Sequence, residues 1–217
     1  MRRVFADRAE AARELAQRLQ AMNLAPPIVV LALPRGGVPI GAEVARVLHA
    51  ALDLVLVRKI GTPGQPELAV AAVVDGDPPE IVVDEEVKAY ALVEQDYIQA
   101  QALRQLDEIA RRRRVYLRGR APLPLAGATA IVVDDGLATG TTMRAALKAL
   151  RRRNPARLVL AVPVAPHDTV SALRAEVDDV VCLYEPDPFR AIGLHYDDFH
   201  QVEDDEVLAA LDDANEP

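Results

Sequence analysis

The run Ile131-Val132-Val133-Asp134-Asp135-Gly136-Leu137-Ala138-Thr139-Gly140-Thr141-Thr142 sets two adjacent carboxylates between an apolar β-branched stretch and a short Gly/Thr loop. Good helix formers follow at once, from Met143 to Arg153. The order reads as strand, loop and helix N-terminus at the carboxyl edge of an α/β sheet. Backbone N–H groups at a helix start point outward with the positive end of the helix dipole, so such a loop suits a phosphate. The threonine hydroxyls add donors. The carboxylates just upstream are acceptors for sugar hydroxyls, or hold Mg²⁺ through water. A plain acidic turn capped by Thr139 or Thr141 would explain the cap. It would explain neither the acid pair nor three threonines around one glycine.

Two further segments carry cations beside backbone freedom. In Leu33-Pro34-Arg35-Gly36-Gly37 the glycines let a backbone approach an anion closely, and Arg35 offers a planar fork for phosphate. Read alone, this is equally a strand-to-helix turn that needs glycine. Arg58-Lys59 precedes Gly61-Thr62-Pro63-Gly64-Gln65-Pro66-Glu67, a stretch whose glycines and prolines read as a mobile loop. Such a loop could close over a reactive substrate and exclude water. The competing reading is an ordinary solvated strand exit.

The elements that must position these groups alternate. A helix is expected over Asp7 to Met22, with Leu15, Leu19 and Met22 on one side and Asp7 as cap. Buried strands are expected at Ile28–Leu33, Leu52–Val57, Thr129–Val133, Arg157–Val162 and Asp179–Leu183. Helices are expected at Val38–Ala50, about Glu94–Arg114, Thr141–Arg153, Thr169–Ala175 and Glu203–Leu211. Residues 58–68 read as loop, and Leu68–Val74 and Glu80–Val83 as a short pair across Asp75-Gly76-Asp77-Pro78. Alternation of this kind implies a three-layer, doubly wound, mainly parallel α/β sheet. Ligands in such folds bind at the carboxyl ends of the strands, where residues 34–37, 58–67 and 134–142 all fall.

Composition sets outer bounds. The chain has 217 residues, 51% of them hydrophobic, enough for one large domain with a substantial core. No apolar run approaches the roughly 20 residues that span a bilayer, and the first residues lack a signal-peptide apolar core, so no membrane association and a cytoplasmic location are expected. The net charge of −8 disfavours nonspecific nucleic-acid binding. Arg111–Arg114 and Arg151–Arg153 read as solvated helix ends. Cys182, the single cysteine, reads as a small hydrophobe in a buried strand. His167-Asp168 reads as structural, with Asp168 capping the next helix. Four scattered histidines make a zinc site improbable. The sequence does not fix an oligomeric state, and a homodimer is compatible with it.

The segment 131–142 resembles the phosphoribosyl-pyrophosphate motif of the type I phosphoribosyltransferases: four hydrophobic or small residues, two acids, then a loop ending in Thr-Gly-Thr. The whole chain is similar to bacterial phosphoribosyltransferase-domain proteins of about this size. The resemblance implies a single domain, with a core over about residues 25–183 and a small hood from about 1–24 and 184–217. It implies transfer of the 5-phosphoribosyl group from phosphoribosyl pyrophosphate to a nitrogenous base or related acceptor, with Mg²⁺ and release of pyrophosphate. Asp134 and Asp135 would hold the ribose hydroxyls and, indirectly, Mg²⁺. Gly136, Leu137, Ala138, Thr139, Gly140, Thr141 and Thr142 would hold the 5′-phosphate. Arg35, Gly36, Gly37, Arg58 and Lys59 would face pyrophosphate, in a loop region whose peptide geometry is often unusual in the family. Arg35 and Lys59 would join the acid pair as catalytic groups.

The tail Pro186-Asp187-Pro188-Phe189-Arg190-Ala191-Ile192-Gly193-Leu194-His195-Tyr196-Asp197-Asp198-Phe199 is similar to the base-binding segment of the 6-oxopurine members. By position Phe189 would stack on the acceptor, and His195 stands where that group has Asp. Ala138 also occupies a position where the 6-oxopurine enzymes carry a proton-handling Asp, which leaves the acceptor open. Hypoxanthine and guanine are expected to be poor substrates. The competing function is a regulator that senses phosphoribosyl pyrophosphate or a nucleotide without turnover.

Overall fold

The computed structural model describes residues 4–76, 78–118 and 120–214. Asp77, part of the expected turn after Val74, and the outer ends of the hood segments, 1–3 and 215–217, lie outside the described residues.

Five parallel strands form the central sheet: β1 (Ile28–Ala32), β2 (Ala51–Leu54), β6 (Thr129–Val133), β7 (Arg157–Val164) and β8 (Asp179–Tyr184), in the order β2-β1-β6-β7-β8. Their near-continuous apolar runs suit strands covered on both faces. The faces divide by alternation. Val30, Ala32, Ile131, Val133, Val159 and Ala161 pack with helices α1 (Arg8–Gln20) and α2 (Gly37–Leu48). Val29, Leu31, Ala130, Val132, Leu158, Leu160 and Val162 pack with α5 (Thr141–Arg152) and α6 (His167–Leu173). The result is a three-layer α/β fold.

A second, antiparallel sheet, β3-β4-β5, is built from β3 (Val57–Thr62), β4 (Gln65–Val74) and β5 (Glu80–Val83). It lies between α5 on one side and α4 (Gln95–Leu117) on the other. The short helix α3 (Glu85–Tyr90), capped by Asp84, joins β5 to α4. Near the C-terminus α7 (Asp204–Asp213) bridges α2 and α4 and begins with a capping box between Glu203 and Glu206. Among the described residues no helix is long and apolar enough to cross a membrane.

Three expectations change. The apolar run Leu52–Val57 is two strands. β2 ends at Leu54, and the Val55 N–H still donates to the Ala32 carbonyl while Leu56 already accepts from Asp75 in the second sheet. An apolar run shows no break when both halves are buried. Residues 58–68 are a β-hairpin rather than a loop, and their glycines and prolines are hairpin devices. Pro63-Gly64 forms the tight turn, with Gly64 at φ +78° where an L side chain is strained. Gly61 sits at an irregularity in the β3–β4 register, where a Cβ would lie 2.4 Å from the Pro66 carbonyl oxygen. The third change concerns α6, which starts at His167 with Pro166 as its cap, so Asp168 lies in its first turn instead of capping it.

The two ends of the described chain meet. Phe5 bridges Tyr196 in parallel. Its N–H donates to the His195 carbonyl, and its own carbonyl accepts from Asp197. α1, just beyond, packs on α2, β7 and β8 as part of a core layer.

The hairpin carries the first prediction. In the ligand-free protein the amides of Ala71–Val74, flanked by β3 and β5, should exchange slowly, and those of Gly64 and Gln65 quickly. Hydrogen exchange followed by mass spectrometry checks this. Equal, fast exchange in both segments would mean that β3 and β4 do not form a stable hairpin.

Candidate functional site

β1 is the point where chain order reverses, since β2 lies on one side of it and β6 on the other. A crevice outside the carboxyl ends of the strands is expected there. β1 and β6 run in register to their ends, Ala32 opposite Val133, and the Leu33 N–H donates to the Val133 carbonyl. Pro34–Gly37 is thereby laid directly against Asp134 and Asp135.

The contact is close enough to dictate residue type. A Cβ on Gly36 would lie 2.0 Å from Asp135 Oδ2, and one on Gly37 would lie 3.0 Å from Asp134 Cα and from the Val133 carbonyl oxygen. Both glycines begin α2 in ordinary right-handed or helical backbone, so space and not a left-handed φ demands them. The Pro34–Arg35 peptide is cis.

The acids are not exposed strand-end groups. Asp135 is buried and Asp134 half-buried. Arg8, the first residue of α1, donates from Nε to Asp135 Oδ2 at 2.9 Å, and its Nη2 lies 2.8 Å from the same oxygen in an ion pair. The Tyr196 hydroxyl donates to the Asp135 carbonyl at 2.6 Å, and the Asp135 N–H donates to Asp134 Oδ1 at 2.9 Å. Burial, and then the neighbouring Asp135 charge, hold the Asp134 carboxyl well above the usual carboxylate range. Burial also raises Asp135, against the opposing pull of Arg8. The Tyr196 hydroxyl is raised too, first by burial and then by Asp135.

The loop beyond the acids is held from beneath. Leu137 is buried, and its N–H donates to the Val164 carbonyl. Thr169 on α6 donates its hydroxyl to the Ala138 carbonyl at 2.7 Å. Gly140, at φ +70°, turns the chain into α5 without a side-chain cap. Ala138, Thr139 and Thr141 are exposed, and among the described residues nothing accepts from the N–H groups of Ala138 through Thr142. An amide-lined concavity at a helix start can take a phosphate.

The cations are placed less uniformly. Arg35 faces the hood, with Nη1 at 3.3 Å from Glu203 and 3.6 Å from Asp204. Arg58 turns toward α4, where Nε donates to Gln105 at 3.1 Å. Lys59 is exposed on the opposite face of β3, paired in register with Ala72 on the α5 side. Adjacent residues of a strand point to opposite faces, so Arg58 and Lys59 leave β3 on opposite sides.

In the tail, Phe189 stacks on buried His195 (5.7 Å, 15°), which also meets the edge of Tyr184. Tyr196 stacks on Phe199 at 5.0 Å. His195 thus occupies one face of the half-buried Phe189 ring. Elsewhere, burial pushes the Cys182 thiol up to about 11, which suits a packing residue and not a nucleophile. Asp75 pairs with Arg113, so Arg113 is not a solvated helix end, while Arg111 and Arg112 both pair with Glu108.

Residues 6–198 match the model of the phosphoribosyl transferase domain. The chain belongs to that family. It is 44% identical over 213 residues to each of two Mycobacterium tuberculosis proteins. They are named "Putative phosphoribosyl transferase Rv0571c", from strain H37Rv, and "Putative phosphoribosyl transferase MT0597", from strain CDC 1551. Those alignments cover 98% of this chain and 47% of each relative, so the chain spans about half the length of the curated relatives it matches. Among solved structures, the protein TT1426 from Thermus thermophilus superposes with a TM-score of 0.84 at 44% identity, covering 97% of this chain and 98% of that one.

As a phosphoribosyltransferase-family domain, the chain can be tested for a Mg²⁺ site. Among the described residues no three His, Cys, Asp or Glu side chains are grouped to hold a metal. The acid pair offers carboxylate oxygens at the crevice, with one of them, Asp135 Oδ2, already taken by Arg8. This donor set fits a Mg²⁺ that keeps its waters and takes further oxygens from a bound phosphate ligand.

Sequence reasoning missed Arg8, Tyr196 and Thr169. Arg8 did leave a signal. It shares the helical face of Ala11, Ala12, Leu15 and Leu19, all of them buried, and a charge on that face needs a partner.

Gly36→Ala should therefore act through Asp135. Arg8 pins that carboxylate, so it cannot swing away from a new methyl group. The variant should lose about 1–3 kcal/mol, as for overpacking a filled site, whereas Gly64→Ala, with nothing within 4 Å, meets only its backbone strain. Urea denaturation of both variants tests the assignment. A Gly36→Ala protein as stable as the parent would show that the loop and the acid pair are not in contact.

Proposed function

We propose that this chain is a phosphoribosyltransferase that moves the 5-phosphoribosyl group from phosphoribosyl pyrophosphate to a nitrogenous acceptor, with release of pyrophosphate. The observation that carries this reading is the order of groups along the carboxyl edge of the parallel sheet: exposed amides at residues 138–142, the acid pair at 134–135, and the Arg35-Gly36-Gly37 turn. The donor has the same order of chemistry, with a 5′-phosphate, ribose hydroxyls and a diphosphate.

In this reading the amides and hydroxyls of 138–142 hold the 5′-phosphate. Asp134 and the Oδ1 of Asp135 accept from the ribose hydroxyls. Arg35, the Gly36-Gly37 backbone and Lys59 stabilise the departing diphosphate. Arg35 is available for this, because half-exposed pairs like those it makes with Glu203 and Asp204 are worth only about 0–1 kcal/mol. Bound Mg²⁺ would supply neutralising charge to the diphosphate oxygens. The transition state resembles a sugar cation, so the chain acts by positioning and fixed charge, with the carboxylates beneath the ring and the cations on the leaving group. The hood segments would cover the acceptor. Ala138 has no proton to give or take, so acceptors that need a base at that position should be poor, hypoxanthine and guanine among them.

The test is pyrophosphate release by the purified chain with phosphoribosyl pyrophosphate, Mg²⁺, and in turn adenine, hypoxanthine, guanine, uracil and orotate. Release with one acceptor supports the reading. Tight donor binding with no release for any acceptor favours a ligand sensor, and no donor binding overturns both.

Asp134 sets a trade-off. Its folded-state pKa is raised, so folding favours the protonated acid. The stability it contributes is complete below the ordinary carboxylate range and is lost as pH rises through the folded value. Asp134→Asn removes that loss. At about pH 7.5 the ligand-free variant should melt above the parent, by about 2–4 °C for each kcal/mol relieved, while its affinity for the donor falls. Calorimetric melting and titration with phosphoribosyl pyrophosphate and Mg²⁺ read both arms. A variant that melts lower and binds normally would contradict the placement of this carboxyl.

A further inference from the structure

Arg8 stands where elementary rules disfavour it. It is the first residue of α1, and a cation there opposes the positive end of the helix dipole. It is also buried, its side chain 9% exposed, and a buried ion pair is often no more stabilising than an apolar residue of similar volume. Its position calls for another account, and its contacts supply one. Nε donates to Asp135 Oδ2, and Nη2 pairs with the same oxygen at 2.8 Å. Nη1 donates to the His200 carbonyl at 2.8 Å. The guanidinium carbon lies 4.0 Å from the centre of the Phe199 ring, which in turn stacks on Tyr196. Tyr196 closes the circuit through its hydroxyl on the Asp135 carbonyl.

We infer that Arg8 is a positioning residue of the donor site, one guanidinium that both fixes the Asp135 carboxylate and fastens residues 196–200 over it. This rests on the reading of the acid pair as the sugar-binding group. Because Arg8 takes only Oδ2, it sets the rotamer and leaves Oδ1 for a ligand. Because the same planar group holds His200 and Phe199, the tail cannot leave without loosening the carboxylate. Donor affinity and closure of the tail therefore depend on one side chain. A lysine, with a point charge and no fork, can neutralise Asp135 but cannot hold all three partners at once.

The experiment is a double-mutant cycle read by calorimetric titration with phosphoribosyl pyrophosphate and Mg²⁺, using Arg8→Met, Phe199→Leu and the pair. Arg8→Lys is the conservative variant. Arg8→Met should weaken donor binding roughly ten- to a hundredfold, the range for losing a group that orients a ligating side chain. Arg8→Lys should recover part of this. Phe199→Leu should weaken binding in the parent and add nothing in the Arg8→Met background.

A staple with no role at the site gives a different pattern. Melting temperatures fall, but the folded protein binds donor within about twofold of the parent in every variant, and that overturns the inference. Additive effects of Arg8 and Phe199 on affinity also overturn it, since the tail would then act by another route. If Arg8→Met fails to fold, Arg8→Lys and Phe199→Leu carry the test, both being required to weaken binding. Asp134→Asn and Asp135→Asn separate the two levels. Normal donor binding in both removes the sugar-site reading and this inference with it. Lost binding in both, with Arg8→Met and Phe199→Leu unaffected, removes the inference alone.

Discussion

Two carboxylates on consecutive residues cannot both leave water without compensation, because each loses hydration and each repels the other. Asp134 and Asp135 are taken out of water at the end of β6, and the surroundings are arranged around that cost. Arg8 reaches across from α1 to supply the counter-charge. The Asp135 N–H turns onto Asp134, and Tyr196 covers the carbonyl behind the pair. Gly36 and Gly37 give up their side chains so that the neighbouring turn can lie against the acids. Parallel pairing of β1 with β6 fixes the height at which all this happens. A fold seeking stability alone would place apolar residues here. An imperfectly compensated acid pair at a strand-order reversal is the kind of stored cost that points to a functional role.

The neighbouring loop shows the complementary economy. Its amides gather at the start of α5 without a side-chain cap, and support comes from beneath, through Leu137 to Val164 and Thr169 to the Ala138 carbonyl. Donors are left outward and acceptors are satisfied inward. One edge of the sheet thus carries an anion-seeking surface next to a hydroxyl-seeking one, with the separation set by covalent sequence and not by packing of distant parts.

Legibility in the sequence follows the same division. The strand, acid pair, loop and helix of residues 129–152 are contiguous, so their order could be read directly, and the alternating strands and helices gave the layered fold. What failed depended on partners remote in sequence. The break inside Leu52–Val57 is made by Asp75 bonding to Leu56, which no local pattern reports. The glycines and prolines of 61–66 mark a bulge and a turn as readily as a loop, and only the pairing partner in β4 decides between them. Once β3 is a strand, its alternation separates Arg58 from Lys59. Arg8 lies 127 residues from its partner, and the one local trace was a charge on an otherwise apolar helical face.

The aromatic tail differs in kind from the loop and acid pair. The amides of 138–142 face outward, held from beneath, while the Asp135 carboxylate is buried under Arg8 and the Gly36 turn. The aromatic residues of the tail are instead turned on one another: Phe189 on His195, His195 against Tyr184, Tyr196 between Phe5 and Phe199. A planar group stacking on the face of Phe189 that His195 occupies would have to displace a buried histidine, and would lose part of its binding energy to that displacement. Tyr196 and Phe199 touch Arg8 or Asp135, so any such shift in the tail is felt at the acid pair. Under the proposed function, the loop of 138–142 would meet the donor's phosphate as it stands, and an acceptor's entry into the tail would be felt at the acid pair.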